Sequence, residues 1–386
     1  MAAGRPLYAK ENRRIAEDRI DKPFLILLLL LLAVGLTMLY SASAPQSAYD
    51  TGYTSTTRYL EKQGICAVIG LIAMVVISRI PPDFWLKLAW PLYGASILLL
   101  LAVLLFGESV NGAKRWINIA GIQFQPSEIA KFTLILLFAR LTKGFGASAK
   151  AFRKGVLGFG CALLGILIPL ALEKHLSAIM LMGAVAVVMM FVAGTSPKWL
   201  LAGAGAAALF VVIYISLMGY AGDRVTAWLH PEQDPGDTGY QILQSLYAIG
   251  PGGLFGRGFG KSRQKYLYLP FQYNDYIFAV VCEELGMIGA LLIVFLFVLL
   301  ILRGFWIALR ATDRFSTVFA AGLISLIAVQ TILNLGVVTN LLPSTGIALP
   351  FFSYGGTALA VNLGEMGVLL SISRGRNMAA RQEEPI

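Results

Sequence analysis

The sequence predicts an all-α polytopic membrane protein with ten transmembrane helices, a large extracytoplasmic loop between the seventh and eighth, and both termini in the cytoplasm. Three observations predict it: the composition, the length of the apolar runs, and the distribution of basic residues. Of 386 residues, 57% are hydrophobic and 13% are charged, whereas an ordinary soluble domain is about 45–50% apolar and about 25% charged. That balance excludes a soluble globular enzyme, a disordered chain and a disulfide scaffold. Cys66, Cys161 and Cys282 lie far apart in apolar stretches and form no metal or redox motif, and His175 and His230 are equally isolated.

A hydrocarbon core about 30 Å thick takes roughly 20 apolar residues per helix. Runs of that kind lie near 24–43, 63–80, 85–106, 126–142, 155–172, 177–193, 198–219, 275–302, 316–340 and 350–373. The first is longer than a signal-peptide apolar region, so a retained helix is expected there. The chain then divides into a tail at 1–22, a ten-helix unit at 23–374 containing the outer loop at 220–274, and a tail at 375–386. The net charge is +10. With an even number of spans, twenty of the 31 Lys and Arg residues fall in segments on the side of the termini, and ten fall opposite. This bias puts the termini in the cytoplasm. It also accounts for most of the charge without a nucleic-acid partner. The exceptions cluster at Lys114–Arg115 and in 257–265, where the alternatives are tolerated loop charge and an outward-facing anion site. Within the outer loop, 239–249 carries apolar residues at helical spacing and is expected to form a short amphipathic helix on the membrane surface. Glycines from Gly250 to Gly260 then predict a tight, backbone-rich turn region.

Four groups of residues are candidates for chemistry. Pro126 and Glu128 fit a first helical turn, where a carboxylate complements the dipole. Lys131, five residues into the fourth span, needs a partner at that depth, and Glu128 is available three residues before it. Lys114 and Arg115 stand just outside and suit phosphate. Asp275 enters the eighth span as either a helix cap or a general base at the membrane boundary. Glu283 and Glu284 follow about 12–13 Å deeper, too deep for both to face lipid, with Lys131 as a possible partner. Finally, Asn334 precedes Pro343–Thr357, whose two prolines and three glycines predict broken or re-entrant backbone beside a cavity, or else a plain loop.

These motifs together resemble the SEDS family (shape, elongation, division and sporulation proteins). The resemblance rests on Arg115-Trp116-Ile117 with Gln125-Pro126-Ser127-Glu128, Gly239-Tyr240-Gln241 with Gln244-Ser245, and Gly250 through Gly260. It rests also on Asp275-Tyr276-Ile277-Phe278-Ala279 running into Glu283-Glu284-Leu285-Gly286, and on Pro343 through Gly356. Ser262-Arg263-Gln264-Lys265 looks closer to the FtsW and SpoVE branch. The resemblance implies a peptidoglycan glycosyltransferase that polymerises lipid II at the outer face of the bacterial cytoplasmic membrane, for division, elongation or sporulation. It implies a class B penicillin-binding protein and other divisome or elongasome membrane proteins as partners. No cofactor is required, though a divalent cation, Mg or Mn, is compatible; its ligands are unknown. It implies Asp275 as the catalytic residue, and Lys114, Arg115, Glu128, Lys131, Gln244, Ser245, Glu283 and Ser353 as substrate-binding residues. The chain departs from the family pattern at Phe271 and Asn274, and again where Glu173-Lys174-His175-Leu176 replaces a Pro-Asp-Leu-Gly-like segment. A lipid II flippase is the rival from another class, since ten helices with buried charges suit transport too.

Overall fold

A computed structural model describes residues 20–110, 113–119, 122–203, 205, 226–233 and 238–382. The long apolar runs become α1 (Lys22–Asp50), α2 (Arg58–Ile77) and α3 (Pro82–Phe106), followed by α4 (Pro126–Phe145) and α5 (Phe159–Leu172). Then come α6 (Leu176–Val192), α7 (Thr238–Gly252), α8 (Ile277–Leu309), α9 (Arg314–Val338) and α10 (Gly356–Gln382). A wider π-type turn, Phe152–Gly158, leads into α5. Helices therefore stand at nine of the ten predicted positions; the seventh predicted span lies largely outside the described residues. Seven of the described helical segments are long and apolar enough to cross a membrane. The segment α6 is apolar but short, and α4 carries Glu128, Lys131, Arg140 and Lys143. The tail at 1–19 also lies outside the described residues.

The expected all-helical class holds apart from a small antiparallel sheet, β1 (Glu108–Val110), β2 (Ala113–Ile119) and β3 (Ile122–Phe124), which joins α3 to α4. Glu108 pairs with Trp116 and Ile117 with Phe124 across it. Asn111-Gly112, between β1 and β2 in the sequence, is a strong short-range hairpin signal.

Helix α9 is the hub. From Phe315 to Val338 its side chains are buried or half-buried, apart from exposed Ile332, and it packs against α4, α6, α7, α8 and α10. In contrast, α2 and α3 bury a single stripe each and present Ile65, Ile72, Leu98 and Leu105 outward. Apolar surface of that kind belongs against lipid, where it costs nothing.

The amphipathic segment forms α7, slightly longer than expected, with Ile242, Ser245 and Ala248 buried at helical spacing and packed on α8. Behind it, the glycine-rich turn passes through a break in α8. Gly286 has φ +68° and interrupts the helix, and the loop supplies the missing bonds. Met287 N donates to Gly253 O at 2.9 Å and Ile288 N to Leu254 O at 3.1 Å. In return Arg257 N and Gly258 N donate to the carbonyls of Glu283 and Glu284. A Cβ on Gly256 would lie 2.2 Å from Glu284 O, and one on Gly286 would lie 2.2 Å from Gly256 N. The crossing needs glycine on both sides, and it satisfies backbone that lipid could not.

Candidate active site

Asp275 precedes α8 in the turn that ends the outer loop. It does not hold the cap position: that residue is Tyr276, which makes no side-chain capping bond. Two side chains fix the backbone around Asp275 instead. Asn334 of α9 donates its amide to Asp275 O at 2.7 Å and to Ile347 O at 2.8 Å. Ser353 accepts from Leu349 N at 2.8 Å and donates to Asn274 O at 2.7 Å. Tyr354 N adds a bond to Tyr273 O, and Gln63 of α2 closes on Ser353 O and Gly355 N. Residues 341–355 are irregular yet largely buried around Ser344, Thr345, Ile347 and Leu349, as the broken-backbone expectation requires. Gly346, at φ +66°, faces Asp275 closely: a Cβ there would sit 3.3 Å from Oδ2.

From Gly346 the site continues along the same segment. Ser177, in the first turn of α6, donates to Thr345 O. The corner before it, Glu173-Lys174-His175, meets the sheet, where Arg115 of β2 donates to Lys174 O. Lys131 and Glu128 form an ion pair at 2.7 Å within the first turns of α4, with Lys131 4% and Glu128 8% exposed. The local partner, not Glu283 or Glu284, is thus the one Lys131 takes. His175 lies within electrostatic reach of both Arg115 and Lys131.

Three ionisable groups join this region beyond those expected from the sequence. Glu173 is 3% exposed, and burial pushes its carboxyl up to about 8, against the opposing pull of Arg115. Burial lowers His175 to about 3, with the Arg115 and Lys131 charges acting in the same direction. At neutral pH both are therefore uncharged. Glu365 of α10 is 2% exposed, within electrostatic reach of Lys131 and Glu128, and neither of its oxygens has a hydrogen-bond partner. Its sequence signal was simple: a lone carboxylate in an apolar span.

The remaining candidates are placed elsewhere. Lys114 is exposed and reaches Leu104 O. Ser245 donates to Val338 O at 2.8 Å, tying α7 to the end of α9, with Gln244 partly exposed beside it. Glu283 and Glu284 organise the outer loop. Glu284 takes Lys265 Nζ at 2.9 Å, Ser41 Oγ at 2.7 Å and Gly260 N at 3.0 Å. Glu283 takes Arg257 at 3.3 Å and the amides of Arg263 and Gln264. Two of the basic residues in 257–265 are thus spent inside the protein. Among the described residues no group of three His, Cys, Asp or Glu side chains is arranged to hold a metal ion.

The family model for FtsW, RodA and SpoVE, described as a cell cycle protein, matches residues 22–378. The chain belongs to this family. It is 40% identical over 362 residues to the probable peptidoglycan glycosyltransferase FtsW of Geobacter metallireducens, covering 92% of this chain and 95% of that one. It is 41% identical over 360 residues to the stage V sporulation protein E of Bacillus subtilis, covering 92% and 97%. Among solved structures it matches a chain of a peptidoglycan synthase complex that coordinates polymerization and crosslinking. There the TM-score is 0.79 at 29% identity, covering 93% of this chain and 99% of that one. Family membership extends over the sheet, the 173–177 corner and the 341–355 segment, so the site lies wholly within the matched region.

Proposed function

We propose that this chain is a peptidoglycan glycosyltransferase that polymerises lipid II at the outer face of the cytoplasmic membrane. It works through ten spans with both termini inside, alongside a class B penicillin-binding protein and other divisome or elongasome membrane proteins. The observation that carries this reading is the Asp275 carboxylate, held over Gly346 on one segment that leads to the Arg115 and Lys131 cations.

In this reading the 4-hydroxyl of one lipid-linked sugar attacks the anomeric carbon of another. Asp275 takes the hydroxyl proton, base catalysis worth about 10²–10⁴-fold. The new C–O bond forms as the bond from the anomeric carbon to the pyrophosphate oxygen breaks. The pyrophosphate departs with the electron pair, and the centre inverts. Arg115 and Lys131 stabilise the charge developing on it. Lys131, buried and paired with Glu128, reaches substrate by exchanging that partner for the pyrophosphate. Substrate contacts for Lys114, Gln244, Glu283 and Ser353 are weaker expectations: Ser353 and Glu283 already hold the backbone of the loop. Among the described residues no group of three His, Cys, Asp or Glu side chains fits a resident Mg or Mn. An apolar groove of about 870 Å³ between α7, α8 and α9, lined by Phe278, Cys282, Met287, Ile332 and Leu342 among others, suits a polyprenyl tail.

The test is polymerisation of lipid II by the purified protein with its partner, comparing wild type with Asp275→Asn. Glycan synthesis should fall to background in the variant, and retained synthesis would sink the base assignment. Lipid II flipping in liposomes without polymerisation would replace the whole reading with that of a transporter.

A further inference from the structure

Between Glu128 and Glu173 the sequence holds no carboxylate, yet Lys143, Lys150, Arg153 and Lys154 crowd the connector from α4 to α5. The next acidic residue after Glu173 is Asp223, so Lys198 also has none near it in sequence. All five cations are exposed, and none forms an ion pair among the described residues. The fold does not bring one to them either: Asp313 of the α8–α9 turn is engaged by Ser316, Asp21 by Arg303, and Asp83 serves the first turn of α3. The connector is folded, not slack. A 3₁₀ turn (Gly146–Lys150) buries Ala149, and the π-type turn after it buries Gly155. Gly155 N donates to Ala151 O at 2.7 Å. A Cβ on Gly155 would lie 1.9 Å from Ala149 O and 3.5 Å from Thr195 Oγ1, so the two turns close on each other and on the corner after α6.

Two rings join the same corners. Phe152 meets Trp199 at 4.7 Å, and Lys198 Nζ lies 5.5 Å from the Trp199 ring centroid. Lys198 is thereby added to the cations of the connector. From this rim an apolar stripe runs along α5: Leu157, Cys161, Leu164 and Ile168 are exposed at helical spacing, while Ala162, Ile166 and Leu170 face the bundle. At 1.5 Å per residue the stripe is about 16 Å long, close to one leaflet of a hydrocarbon core about 30 Å thick. Cations, an aromatic pair and an apolar stripe, in that order, match the phosphate, the glycerol region and the acyl chain of a phospholipid. A soluble anion would answer the cations alone and leave the stripe without an occupant.

We propose that the α4–α5 connector, with Lys198 and Trp199, is a binding site for an anionic phospholipid. The headgroup is held by Lys150, Arg153 and Lys154 with Lys198, the Phe152–Trp199 pair sits at the level of the glycerol, and an acyl chain lies along the stripe from Leu157 to Ile168. In the proposed topology this is a lipid of the cytoplasmic leaflet. The site lies at the end of α4 remote from Lys131, so it stands whether or not the chain polymerises lipid II.

The experiment places the full-length protein in phosphatidylcholine vesicles and titrates in phosphatidylglycerol or phosphatidylcholine with brominated acyl chains. Quenching of Trp199 is read as the difference between wild type and Trp199→Phe, which keeps a ring against Phe152. Half-quenching should come at a brominated fraction about tenfold lower for phosphatidylglycerol than for phosphatidylcholine, and high salt should narrow the gap. The triple variant Lys150→Gln, Arg153→Gln, Lys154→Gln should close it; these side chains are exposed, and an unchanged melting temperature shows that the variant folds. The triple variant Lys22→Gln, Arg79→Gln, Lys87→Gln removes as much charge from the same end of the bundle and should keep the gap. Equal quenching by the two lipids would overturn the proposal. So would an equal loss in both triple variants, which would mean a general surface potential and no site. Inorganic phosphate that abolishes the preference at constant ionic strength would overturn it in favour of a soluble anion.

Discussion

Single residues in this protein carry consequences opposite in sign. Burying Glu173 raises its carboxyl to about 8, so between the ordinary carboxylate range and pH 8 the unfolded chain has released a proton that the folded chain keeps. Stability from this group falls with rising pH across that window. His175, lowered to about 3, does the reverse: the unfolded chain binds a proton below about 6.5 that the folded chain refuses. Its contribution is lost as pH falls. The two oppose each other between about 4.5 and 6.5, and above 6.5 Glu173 acts alone. Melting temperatures in detergent should therefore decline more steeply from pH 6.5 to 8 in wild type than in Glu173→Gln; an equal decline in both would reject the assignment. Gly346 is a different kind of constraint. An alanine there meets left-handed backbone, costing roughly 1–2 kcal/mol, and brings its Cβ to 3.3 Å from Asp275 Oδ2. Displacing a reacting carboxylate by even part of an ångström is costly, so Gly346→Ala should lower kcat on the order of 10²-fold. A variant that folds and turns over normally would show that Asp275 does not act from this position.

At the scale of elements, the outer loop and α8 hold each other through Glu283, Glu284 and the crossing of Gly256 with Gly286. Replacing Glu284 by Leu would strand Lys265, 4% exposed, without its counter-charge. The expected loss is about 3–5 kcal/mol, read as a drop in thermal stability. Adding Lys265→Met to that variant should return much of it, and a double-mutant cycle measures the coupling. Additive effects would mean that the pair does not hold the loop. This pairing also marks the limit of what local sequence reveals. The spacing from Glu128 to Lys131 made their pair legible, as the 3.6-residue period did for α7, because both partners sit on one helix. The basic residues in 257–265 looked available for substrate, since nothing in their neighbourhood shows that Arg257 and Lys265 answer carboxylates 26 and 19 residues away across a turn. The sheet at 108–124 went unread because its strands are short, though Asn111-Gly112 announced a hairpin. Glu173 and His175 stood out only as departures from a motif; their burial depends on where α4 and β2 come to rest.

Across the whole molecule, the two ends of the bundle differ in chemistry. At one end lie Asp275, the 341–355 segment, the Glu173 corner and the sheet with Arg115, beside Tyr59, whose ring meets Tyr273 at 4.6 Å just past the loop from α1 to α2. At the other end basic residues cap helix ends and bind carbonyls. Arg303 pairs with Asp21 at 2.9 Å, Arg314 donates to Ala193 O at 2.6 Å, and Arg140 donates to Leu86 O. That polarity matches the twenty-to-ten division of Lys and Arg, and the proposed topology puts the second end in the cytoplasm. Single cysteines in a background lacking Cys66, Cys161 and Cys282 test it. Tyr53 and Tyr268 are 82% and 58% exposed at the first end, and Thr312 is exposed in the turn between α8 and α9. In intact cells an impermeant maleimide should label Tyr53→Cys and Tyr268→Cys, and label Thr312→Cys only after the membrane is opened. The reverse pattern would place Asp275 on the cytoplasmic side, away from lipid II displayed outside. It would thereby exclude polymerisation at the outer face along with the topology, because a base acts only on a substrate presented at its own end of the bundle.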